Sequence, residues 1–135
     1  MSYDKIEAAL ETQLLSIVGV PTIYFENGEE EPTVGSPYVE AIFVPTIRTP
    51  STRGRDFQTY YQGVFRLICA VPAGVGRGAA TTLVQKVLTA FEANTDITYD
   101  GLTITTRYAD KETGSKDGPF YKVPVNIGWY VYTNT

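Results

Sequence analysis

The sequence predicts an α+β fold: a mostly antiparallel or mixed sheet of about five strands, with two helices packed on one face, in the order α-β-β-β-α-β-β. Three observations carry this. Apolar residues recur at helical spacing in two separate stretches, 3–18 and 77–93. Alternating apolar patterns mark the strands, and most strands follow one another with no helix between them. The 135 residues contain no internal repeat and no linker, so a single domain spanning 1–135 is expected.

The first helix places Ile6, Leu10, Leu14 and Ile17 on one stripe. Ser2 suits its N-cap, Asp4 and Glu7 suit the positive end of its dipole, and Gly19 and Pro21 end it. Residues 22–27 (TIYFEN) read as a short strand and 28–37 as a loop. Glu29, Glu30 and Glu31 are consecutive rather than convergent, which describes a solvated turn better than a metal site. In the strand 38–44, Val39, Ala41 and Phe43 alternate with Tyr38, Glu40 and Ile42. A loop over 46–57 follows, carrying Arg48, Arg53 and Arg55. A loop of that length is functional or mobile, and it is expected to order against a partner.

Residues 60–71 (YYQGVFRLICAV) read as the central strand. Phe65, Leu67, Cys69 and Val71 line one face, while Val64, Ile68 and Ala70 make the other partly apolar around Arg66. A strand apolar on both sides is covered on both sides, here by a helix on one and a neighbouring subunit on the other. The second helix buries Ala80, Leu83, Val84, Val87, Leu88 and Phe91, and Asn94–Thr95–Asp96 end it. Residues 102–108 form the next strand and 109–119 a polar hairpin tip. The last strand, 120–133, sets Tyr121, Val123, Val125, Ile127, Trp129 and Val131 on one face. Pro124 cannot donate to a ladder, which predicts an edge strand or a bulge there. Gly128 predicts a bend or a close approach.

Composition narrows the function. The formal charge is −4, which disfavours a freestanding nucleic-acid binder. Histidine is absent, removing the commonest general base and zinc ligand. No apolar run approaches the roughly 20 residues of a spanning helix. The N-terminus lacks the apolar core of a secretion signal, and lone Cys69 has no internal disulfide partner; both fit folding in a reducing cytoplasm. Asp96, Asp100, Asp110, Glu112 and Asp117 scatter over turns, with no pair that spacing would converge for acid–base work.

The turn VPAGVGRGAATTL (71–83) raises a rival, a small-ligand module built on its glycines at 72–79. A phosphate loop needs a Lys followed by Ser or Thr, and none follows Gly74. A dinucleotide turn needs GxGxxG within a βαβ unit and an acid at the end of the second strand. Ala79 stands at the third glycine, and the following strand, 102–108, ends without an acid. The glycines are explained by a sharp strand-to-helix reversal.

The amphipathic first helix, then PTIYFENGEEEPTVGSPYVEAIFVP, then GVFRLICAVPAGVGRGAATTLVQKVLTAF and an aromatic final strand, form a pattern over nearly the whole chain. This pattern resembles the tail terminator (tail completion) proteins of long-tailed phages, of the phage lambda type. It departs at the acidic Gly28–Glu31, where an aromatic is expected before the proline. The resemblance implies a structural virion protein, not an enzyme, with no cofactor. It implies a homohexameric ring that caps the tail tube and presents the head-joining surface. Its partners would be copies of itself, the tail tube protein and a head-completion or neck protein, with DNA only as passing cargo and no membrane. It would sit at the head-proximal end of the tail and assemble in the host cytoplasm. A neck, connector or tube protein of the same virion is the alternative within that class. The residues expected at interfaces are Arg48, Arg53, Arg55, Arg66 and Arg77, opposed by Glu29, Glu30 and Glu31, with aromatic surface from Trp129 and Tyr130.

Overall fold

Alternation over long segments builds a sheet whose three middle strands run 13 to 15 residues. The computed structural model describes residues 3–25, 32–50, 58–74 and 77–134. Its elements are α1 (Tyr3–Leu15), β1 (Thr22–Phe25), β2 (Tyr38–Pro50), β3 (Gln58–Pro72), α2 (Arg77–Ala90), β4 (Asp96–Tyr99), β5 (Leu102–Lys111), β6 (Ser115–Asp117) and β7 (Phe120–Asn134). The sheet order is β1-β2-β3-β7-β5-β4, with β6 also paired to β7. Only β1 and β2 pair in parallel. The α+β class and the mixed, mostly antiparallel sheet are therefore as expected, but the strands among the described residues number seven rather than about five.

The two extra strands have short-range causes. Asp100 (φ 49°) and Gly101 (φ 80°) both adopt left-handed backbone, the signature of a two-residue hairpin turn, so residues 96–99 fold back on 102–105. Strand β6 is exposed throughout and has no apolar alternation to reveal it; it forms because β7 offers a ladder to pair with.

Helix α1 is shorter than its apolar stripe. The Ser16 amide is shared between the Thr12 and Gln13 carbonyls, and its hydroxyl donates to the Gln13 carbonyl at 2.6 Å. Ile17 still packs on the core from the turn beyond, where Gly19 takes φ +83°. Ser2, the expected cap, lies outside the described residues. Helix α2 likewise stops at Ala90, short of 93, and Asn94 takes φ 65° beyond it.

The buried stripe of α1 (Ile6, Ala9, Leu10, Leu14), the inner face of α2 (Val84, Val87, Phe91) and alternate residues of β3 and β7 form one core. Both helices therefore cover the same face of the sheet. Each fully buried Leu, Ile or Phe there contributes about 1.5–3 kcal/mol relative to exposure. A small second cluster lies on the opposite face near the start of β2, where Tyr38, Ala70 and Phe120 pack under Tyr24.

Pro124 corrects the expectation of an edge or a bulge. Strand β7 is central: β3 pairs with it from Phe120 to Asn134 without a register shift, and Ile68 lies opposite Pro124. On the other side β6 ends at Lys122 and β5 begins at Val125. The Glu112 amide donates to the Pro124 carbonyl at 2.8 Å from that side. Backbone groups of one strand residue face the same neighbour, so the missing N–H points into the gap between two short partners. Gly128 does mark a close approach. The Tyr108 ring lies across it where a bulge shifts β5, and a Cβ there would collide with the ring.

Candidate interaction surface

The glycine turn is built for reversal. Ala73 donates its amide to the Pro119 carbonyl at 2.8 Å, Gly74 takes φ +92°, and Gly78 lies inside α2. Residues 75–76 lie outside the described ones. One reading needs correcting: the strand that follows, β5, runs on to Lys111 and so does carry an acid, Asp110. It is nonetheless separated from β3 by β7, and β4 intervenes in sequence, so no βαβ unit forms with its neighbour. An open groove of about 680 Å³ runs between the end of α1 and α2, lined by Ser16, Ile17, Thr82, Gln85 and Lys86. Its one ionisable group, Lys86, donates to the Gly19 carbonyl at 3.2 Å. That lining sets no carboxylate or histidine beside its hydroxyls or its lysine to form an acid–base pair.

The face of the sheet away from the helices is the distinctive surface. Alternation puts Glu40, Ile42 and Val44 of β2 on it, opposite Ile68, Arg66 and Val64 of β3. A bulge between Pro45 and Ile47 then sets Ile47 opposite Gln62 and Thr49 opposite Tyr60. Beyond β3 come Asn126, Gly128, Tyr130 and Tyr132 of β7. Tyr60, Tyr130 and Tyr132 form a cluster with ring centroids 4.9–6.3 Å apart, and Tyr60 donates to Gln62 Oε1 at 2.7 Å. Tyr60 stacks on Tyr130, while Tyr132 meets both rings at an angle and stays exposed.

The charges on this face concentrate toward its other half. Arg66 donates to Glu112 and to Asn126 Oδ1 at 3.0 Å, and the Asn126 amide donates to Glu112 at 2.7 Å. The Asn126 bond, followed by the Arg66 bond, holds the Glu112 carboxyl below its ordinary pKa. Arg66, read as an interface residue, is thus engaged within the chain and ties the β5–β6 turn to the sheet. Lys122 pairs with Asp117 at 2.8 Å, which raises its pKa.

Arg48 lies on β2 and not in a loop. Its Nε donates to the hydroxyl of buried Tyr61 at 3.2 Å, which raises its pKa. Arg77 opens α2. Arg53, Arg55, Glu29, Glu30 and Glu31 lie outside the described residues. Of the loop expected over 46–57, residues 46–50 belong to β2 and 51–57 lie outside the described residues. Trp129 is 0 % exposed and stacks on Phe43 with centroids 5.4 Å apart, so it is a core residue and offers no surface. Tyr130 stays on the open face. Sequence reasoning missed Tyr60, Tyr132 and Ile47. Period-two counting from Tyr130 finds Tyr132, whereas Ile47 is reached only through the bulge.

Residues 5–129 match a family model described as phage tail terminator protein. No curated protein matches the chain. A solved structure without a functional description aligns over 97% of this chain and 96% of its own, with a TM-score of 0.74 and 24% identity, a likeness of fold.

Proposed function

This chain belongs to the phage tail terminator family, and from that membership we propose that it is a virion structural protein that ends growth of the tail tube. It does so as a closed ring, homohexameric on this reading, that caps the tube and offers its far side to a head-completion or neck protein. The observation that carries the proposal is the family match, which spans nearly the whole chain. One half of the open sheet face, around Val44, Ile47, Tyr60, Tyr130 and Tyr132, supports it: aromatic residues are enriched and charges depleted in interface cores.

A closed ring of head-to-tail contacts needs two different complementary patches on each subunit. The Arg-bearing segment from Arg48 to Arg55 and the acidic run Glu29–Glu31 have opposite signs, and this reading sets them against each other across the contact. Arg77 pairs with a carboxylate of another chain on the same reading. Six copies at −4 each carry −24, so the ring repels passing DNA and leaves it free to move.

Assembly of tails with and without the protein tests the proposal. Uniform tails with it and overlong tails without it are expected; unchanged length without it would refute the capping role. A tube subunit of the same virion would instead polymerise alone into long cylinders when purified.

A further inference from the structure

We draw no further inference here: the strongest candidate, the uncharged half of the open sheet face around Val44, Ile47, Tyr60, Tyr130 and Tyr132, carries none because nothing in the structure shows what covers it.

Discussion

Gly63 has no side chain because Trp129 occupies the space where one would stand. A Cβ there would meet Trp129 Cζ2 at 2.6 Å and the Cα of Pro45 at 2.9 Å, with the Val44 carbonyl on its other side. Two of these neighbours are backbone at the β2 bulge and cannot step aside. Gly63→Ala should therefore destabilise the fold by about 1–3 kcal/mol, an overpacking cost read from urea denaturation. Glu112 makes a different kind of residue-scale contribution. Asn126 and Arg66 lower its folded pKa below the roughly 4.3 of an unfolded glutamate. Its stabilising effect is therefore fully present above that value and fades as pH falls through the folded pKa. Melting temperatures of wild type and Glu112→Gln, followed from pH 7 down to pH 3, should differ by a constant amount above about pH 5 and converge below it. A gap that widened on acidification would contradict the Arg66–Glu112–Asn126 tie.

At the scale of elements, the glycine turn shows how one motif holds positions of opposite character. Gly74 has φ +92° with nothing within 4 Å of an added Cβ, so Gly74→Ala is penalised by the backbone alone, by about 1 kcal/mol or more. Gly78 is helical and equally uncrowded, so Gly78→Ala should stabilise by about 0.4–1 kcal/mol through reduced unfolded-state entropy and better helix propensity. Thermal melts of the two variants should move in opposite directions, and equal losses would mean that both glycines answer to a bound group. Both helices and the long strands were legible because burial on one face forces a period: Ile6, Leu10 and Leu14 lie inside, as do Phe65, Leu67, Cys69 and Val71. What was not legible depended on neighbours. Pro45, Pro50 and three arginines looked like loop chemistry, yet β3 offers a ladder that carries β2 through to Pro50. Pro124 looked like an edge because its tolerance depends on a gap between β5 and β6 that no local pattern records. Trp129 looked like interface surface because an aromatic near a terminus reads the same way inside or outside; its stacking on Phe43 decides the matter. On the proposed contact surface, Tyr130 was found and Ile47 was not, since the extra residue at the bulge reverses the faces beyond it.

For the whole molecule, the ring proposed above makes a prediction about the force that would hold its copies together. Two devices are available to it: the uncharged half of the open sheet face around Val44, Ile47 and Tyr132, and the opposite charges of the arginine segment and the acidic run. They respond differently to salt. Raising ionic strength from 0.1 M to 1 M shortens the screening length from about 10 Å to about 3 Å. The proposed attraction between the arginine segment and the acidic run would be lost over that range, and so would the repulsion between protomers that each carry −4. Contact between apolar side chains is left in place. Complementary charge chiefly sets encounter rate and orientation, while desolvated contacts set residence. Assembly should thus become slower at 1 M salt, while the assembled fraction at equilibrium stays level or rises. Stopped-flow light scattering measures the first, and sedimentation velocity the second. A tenfold fall in the association constant would transfer the contact to the arginines and glutamates. Ile47→Lys would then cost little, and substituting Arg48 would cost most. The same pair of measurements on Ile47→Lys closes the test, because a lysine placed in the apolar patch raises the equilibrium cost without removing the charges that guide approach.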